Sequence, residues 1–199
     1  MLRPALLTLL LSGGALLAQP LSGPYSIGPS GHFATFQAAA TALSTNGVSG
    51  PVLFLLPPTP YTESFTLSHA PGASAVNTIT FKSIVPRMAK LTGTASGTNA
   101  ATVSFATGTA AQPVSWYVFD GIEFTSSPGY AVFGDQYTHD IEFKDCEFKA
   151  NHVSRIIYVN GNNQAQRWKI HHSKFTMINN GDGIYGSQIS FWEFHHNEV

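Results

Sequence analysis

The chain has 199 residues, enough for one domain with a sizeable core. Its formal net charge is −1 and only 11% of its residues are charged, against about 25% in an average soluble protein. That balance offers no electrostatic handle to nucleic acid or an anionic membrane surface; Ser, Thr, Asn and Gly carry much of the polarity instead.

The start, MLRPALLTLLLSGGALLAQP, has one Arg, an apolar stretch and small residues ending at Ala18. This is the form of a secretory signal peptide over residues 1–18, cut after Ala18 or within a few residues of it, since Leu16 is large for the −3 position. The competing reading is a membrane anchor, for which the apolar run is short against the ~20 residues of a span. No segment after the leader is apolar enough to cross a bilayer. Cys146 is the single cysteine, so no internal disulfide framework holds the fold.

Residues 19–50 read as an N-terminal segment with a capping helix. HFATFQAAATAL places Phe33, Phe36, Ala40 and Leu43 on one helical face, and Asn46-Gly47 ends the pattern. PVLFLL follows as a short strand before the breaker PPTP, then YTESFTL and NTITFKS as two more. Residues 93–112 are rich in Ala, Thr and Gly and predict a loop around one strand, Thr102 to Phe105.

From Trp116 the chain repeats. YVFDGIEF (117–124), IEFKDCEF (141–148), WKIHHSKF (168–175) and WEFHHNEV (192–199) superpose at spacings of 24, 27 and 24 residues. Shorter apolar runs, YAVFG, IIYVNG and GIYG, lie between them. Two short strands meeting at a two-residue bend, with a third strand further on, predict an all-β solenoid over residues 51–199, a parallel β-helix. These repeats, with a polar pair and then a small inward residue as in KDCEF and HHSKF, resemble the right-handed parallel β-helix of pectin-lyase-like proteins. The segment GPYSIGPSGHFATFQAAATALSTNGVSGPVLFLL resembles the start of secreted bacterial members, although PPTPY stands where they commonly carry a Pro-Gly-Thr-Tyr-like turn. The resemblance implies the fold and an extracellular or cell-surface location. It leaves activity open, because the scaffold hosts lyases, hydrolases, adhesins and spacers.

Alternation in the copies predicts four inward columns. They are Phe119, Phe143, Ile170 and Phe194; Tyr117, Ile141, Trp168 and Trp192; Phe124, Phe148, Phe175 and Val199; and Ile122, Cys146, Ser173 and Asn197. Trp168 and Trp192 therefore read either as core or as a carbohydrate-binding platform for sugar faces. Two outward columns run acid, base, acid: Glu142, Lys169, Glu193 and Glu147, Lys174, Glu198. Such ladders avoid stacking like charges and favour correct register.

Asp120, Glu123 and Asp145 are the nearest approach to a carboxylate cluster and so the candidate catalytic residues. The resemblance adds calcium as a cofactor to consider, though few oxygens are visible for a shell of six to eight. Asp182, in NNGDGIYG, reads as turn structure. His171 and His195 share one bend position, and His172 and His196 the next. They read as a stacked turn ladder, as metal ligands, or as acid–base groups. Val199 falls on a core position with no closing cap after it, which predicts rungs continuing beyond residue 199. Two functions fit: a secreted or cell-surface glycan-associated module, with polysaccharide or surface glycan as partner, or a polysaccharide lyase or glycoside hydrolase whose catalytic residues lie mostly beyond residue 199.

Overall fold

The computed structural model describes residues 19–126, 129–150, 155–177 and 182–199. The leader read at 1–18 lies outside them, as does residues 179–181 of the turn before Asp182. The chain opens with β1 (Leu21–Ser26), α1 (Phe36–Asn46) and β2 (Val48–Leu56). It then coils through β3 (Pro60–Thr62), β4 (Phe65–Leu67), β5 (Ile79–Ser83), β6 (Ala89–Thr92), β7 (Ala101–Phe105), β8 (Val114–Asp120), β9 (Ile122–Ser126) and β10 (Tyr130–Gly134). It continues as β11 (Thr138–Lys144), β12 (Glu147–Ala150), β13 (Arg155–His171), β14 (Lys174–Met177), β15 (Asp182–Ser190) and β16 (Glu193–His195).

The named strands pair in parallel ladders that form three faces. The first face stacks β1, β2, β5, β8, β11, the end of β13, and β16. The second stacks β3, β6, β9, β12 and β14, and the third β4, β7, β10, the start of β13, and β15. With 17 residues, β13 closes one turn on the third face and opens the next on the first. The result is about six turns of a right-handed parallel β-helix, as the repeats predicted.

Parallel register sets like residues on like. Phe54, Phe81, Phe119 and Phe143 stack with ring centroids 4.8, 5.2 and 4.8 Å apart and planes within 22°. Phe124, Phe148 and Phe175 form a second stack at 5.4 and 5.0 Å. Tyr117, Ile141 and Trp168 fill the third inward column, fully enclosed. Ile122, Cys146 and Ser173 fill the fourth, where burial pushes the Cys146 thiol up to about 12. Trp192 stacks on Trp168 at 6.1 Å. Phe194 and Val199 were expected inside, but are 47% and 91% exposed on the sixth turn.

The helix α1 covers the other end of the stack with Phe36, Ala39, Ala40 and Leu43. Its start differs from expectation. Thr35 caps it, accepting a 3.0 Å hydrogen bond from the Ala38 N–H, so Phe33 lies before the helix and bridges to Ile27 in the extended chain. Ala39 takes the place Phe33 was given on the buried stripe. YTESFTL, expected as one strand, is broken into β3 and β4 at Glu63 and Ser64. The Glu63 carboxylate turns away to accept the Phe36 and Gln37 N–H groups at 3.0 and 3.3 Å, complementing the helix start. The strands β1 and β6 were not foreseen.

Two consequences can be measured. Phe119→Ala, which empties the middle of the aromatic stack, should cost about 3–5 kcal/mol in chemical denaturation. Cys146 should resist a thiol reagent at pH 8 in the native protein and react at once in denaturant, since reactivity needs an accessible thiolate.

Candidate functional site

The candidate carboxylates do not converge. Asp120, at the end of β8, lies between Lys82 at 2.6 Å and Lys144 at 3.5 Å. Glu123, in β9, is 7% exposed and lies between Lys149 at 2.8 Å and Lys90 at 3.5 Å. Its hydrogen bond to Lys149 is the main reason that ammonium is held above its ordinary value. Asp145 is exposed at the corner, and its carbonyl accepts from Arg87 Nε at 3.0 Å. Each carboxylate at a catalytic candidate position in the strands is thus neutralised by lysines of adjoining turns. Among the described residues no group of three or more His, Cys, Asp or Glu side chains is arranged to hold a metal, so these residues do not offer calcium its oxygen shell.

The charge ladders persist with altered partners. Lys169 pairs with Glu193 at 3.1 Å and Lys174 with Glu198 at 3.9 Å. Glu147 turns to Lys149 at 3.3 Å, and Glu142 to His171 Nε2 at 3.1 Å. The outer turns thus bind their lysines from one side only, not from both as the column suggested.

Trp168 is enclosed, and its indole N–H donates to the Thr138 carbonyl at 3.1 Å, so it offers no ring face to a sugar. The half-buried Trp192 lies against it on the next turn. The histidine rings stack between turns: His171 over His195 at 5.1 Å and 6°, His172 over His196 at 5.0 Å and 13°. Within each turn the two Nδ1 atoms face one another, at 2.9 Å for His171–His172 and 2.8 Å for His195–His196.

The feature missed from sequence lies one residue before each repeat copy. Trp116, Asp140, Arg167 and Phe191 have φ values of 68°, 57°, 52° and 60°. Four successive turns therefore place a non-glycine residue in the left-handed region at the same point of the first face. Asp140 is a type that tolerates this region; for Trp116, Arg167 and Phe191 it costs about 1–3 kcal/mol each, as it also does at Arg87, Tyr137 and Gln188 elsewhere in the chain. These four, with Lys169 and Glu193, line one shallow cleft of about 540 Å³. A smaller hollow beside it adds Thr78, Val118 and Glu142.

The cleft has a rigid polar centre. Arg167 Nε donates to Asp140 Oδ1 and Arg167 Nη2 to Oδ2, both at 2.7 Å, the fork-to-fork geometry of a strong ion pair. His139 Nδ1 lies 2.9 Å from Asp140 Oδ2, and Arg167 Nη1 donates to Gln166 Oε1 at 2.9 Å. Burial alone would raise the Asp140 carboxyl; hydrogen bonds from Arg167 and His139 outweigh it and hold it below the usual carboxylate range. Phe191 is 77% exposed at one end of the cleft, and half-buried Trp116 lines the other. They stand three turns apart, about 14 Å at the spacing of parallel strands. A different aromatic row on the third face, Phe133, Tyr158 and Tyr185, is already occupied: the Arg155 guanidinium lies 3.8 Å over the Tyr185 ring.

No protein-family model matches the chain, and no curated protein does. Two solved structures of the pectin methylesterase from Aspergillus niger align with it, both at 13% identity and over 90% of this chain. The penultimately deglycosylated form is covered over 86% of its length with a TM-score of 0.37, and the deglycosylated form over 87% with 0.38. No residue role passes to this chain from a likeness at that level, and its site rests on its own geometry. No helix among the described residues is long and apolar enough to cross a membrane.

Arg167→Ala tests the polar centre. The Asp140 carboxyl is depressed in the folded protein, so its contribution is present above the unfolded value near pH 4 and is lost as pH falls through the folded value. The variant should be less stable than the parent at pH 7 by about 1 kcal/mol. The gap should close as thermal scans move down in pH through the acid range below the ordinary carboxylate value.

Proposed function

We propose that this chain is a secreted, non-catalytic β-helical module that binds a neutral glycan along the cleft of its first face. The observation that carries this reading is the left-handed column Trp116, Asp140, Arg167 and Phe191. Three of its residues, Trp116, Arg167 and Phe191, are held in a backbone conformation that Gly, Asn or Asp would take at lower cost. Two aromatic residues flank a bonded Arg–Asp pair, the combination that suits a sugar: ring faces for its C–H surfaces, fixed polar atoms for its hydroxyls. A pyranose unit is close to one turn in length, so the distance between Trp116 and Phe191 suits a short run of sugars along the axis.

Charge selects the class of glycan. Arg167 and Lys169 face Asp140, Glu142 and Glu193, so the cleft is balanced to slightly acidic and gives no steering to a polyuronate. The competing reading, a polysaccharide lyase or glycoside hydrolase whose catalytic residues lie mostly beyond residue 199, gains no support from this cleft, which would need a carboxylate or base free to work beside the ligand. Asp140 is committed to Arg167, and Asp120 and Glu123 to their lysines. Secretion rests on the leader-like residues 1–18 and on a surface that relies on hydroxyls and amides rather than charge.

Isothermal titration against soluble neutral glycans (mixed-linkage glucan, xyloglucan, galactomannan) and polygalacturonate tests the reading. Binding to at least one neutral chain is expected, with little for polygalacturonate. Trp116→Ala with Phe191→Ala should weaken it at least about 10-fold, ~1.4 kcal/mol, with the melting profile retained. Preference for polygalacturonate, or new reducing ends released from any of these chains, would overturn it.

A further inference from the structure

We infer that the paired histidines form a two-imidazole chelate for a divalent copper or nickel ion, with His171 and His172 as the primary ligands. The geometry of that pair is specific. Metal–nitrogen bonds are about 2.0–2.1 Å, so two imidazole nitrogens that share one ion must lie roughly 3 Å apart. The Nδ1 atoms of His171 and His172 are 2.9 Å apart. At that hydrogen-bonded separation small rotations of the two rings bring both Nδ1 lone pairs onto one ion. A site of two imidazoles suits Cu²⁺ and Ni²⁺, which rank high in first-row affinity, better than structural Zn²⁺, which takes four protein ligands.

Neighbouring groups prepare the pair. Glu142 Oε1 lies 3.1 Å from His171 Nε2, so the proton sits on Nε2 and donates to the carboxylate, leaving the Nδ1 lone pair toward His172. A carboxylate behind a ligating imidazole is how metal sites commonly fix ring orientation and tautomer. Arg87 holds the corner backbone, donating from Nε to the Asp145 carbonyl at 3.0 Å and from Nη2 to the His172 carbonyl at 3.1 Å. In the metal-free protein the His172 Nδ1–H donates to His171 Nδ1. When the ion binds, that proton moves through solvent to His172 Nε2; the ring stays neutral, and one N–H···N bond is exchanged for two metal–nitrogen bonds. Water completes the shell, in keeping with a site of two protein ligands.

The pair His195 and His196 repeats the geometry one turn on, at 2.8 Å. The rings of the two turns are parallel, so their nitrogens point the same way and do not converge on one ion. Two dications one turn apart would repel, and the Glu142 carboxylate stands behind the first pair. One ion therefore occupies the first pair before any reaches the second.

The test uses tag-free full-length protein titrated with CuCl₂ and NiCl₂ near pH 7.5, read by calorimetry and, for copper, electron paramagnetic resonance. One ion per chain should bind first, with hyperfine coupling from two imidazole nitrogens. His172→Ala should weaken binding at least about 10-fold and leave one-nitrogen coupling. Glu142→Gln should weaken it about 10–100-fold, and His195→Ala with His196→Ala should leave it within about threefold. Circular dichroism should show each of these exposed-corner variants folded. The proposal falls if His172→Ala binds as the parent does, or if removal of the second pair abolishes the first-site signal. It falls equally if neither metal binds more tightly than to a free His-His peptide, which would leave an imidazole–imidazole hydrogen bond only.

Discussion

The structure depends on parallel pairing at the pitch of one strand. Each side chain then stands about 4.8 Å from its counterpart one turn away, and every inward or outward choice is made once for a whole column. Inside, this turns phenylalanines into continuous offset stacks, where aromatic contact adds about 0.5–1.5 kcal/mol beyond area burial. Outside, the same pitch would bring like charges into contact. The chain answers this by alternation where Lys82, Asp120 and Lys144 follow one another in one column. In another, Lys90 is followed by Glu123 and then Glu147, and Lys149 bridges the two adjacent glutamates at 2.8 and 3.3 Å. Exposed pairs of this kind add little energy each, but a slip of one residue would expose an aromatic stack and bury a charge. Register is the quantity they protect.

A helix built this way must also turn, and its turns use left-handed residues. At the corner between the first and second faces these are Gly121, Asp145, His172 and His196, types that tolerate the conformation. At the point where the first face begins, the same backbone state is filled by Trp116, Asp140, Arg167 and Phe191. The first set is what folding alone would choose. The second keeps the geometry and, at Trp116, Arg167 and Phe191, gives the position to a large side chain, which favours the cleft over the paired carboxylates as a surface with a claim to function.

The period of 24 to 27 residues made the columns legible, because a repeated pattern at matched spacing leaves few other folds. Buried positions such as Phe119, Phe143 and Cys146 followed from alternation alone. The cleft did not, although its residues stand directly before Tyr117, Ile141, Trp168 and Trp192. Alternation by two fails at a left-handed residue, and nothing about Trp116 or Arg167 as residue types announces a positive φ. The signal was their shared spacing, which was legible only if the repeat frame began one residue earlier. Glu63 escaped for another reason: its partners, Phe36 and Gln37, lie 27 and 26 residues away across the cap. Pairings set by folding over that distance carry no local pattern.

Glu142 joins the two surfaces. It lines the hollow beside the cleft and also holds His171 Nε2. A ligand that drew this carboxylate into hydrogen bonds of its own would release the imidazole from the orientation that aims Nδ1 at His172. Coupling of this kind is reciprocal: an ion that tightens the His171–Glu142 contact must weaken, by the same factor, any ligand that competes for Glu142. A ligand confined to Trp116, Arg167 and Phe191 would feel nothing. The sign and size of that coupling therefore depend on whether a bound glycan reaches the Glu142 column or stops at the left-handed one, one side chain away on the same strands.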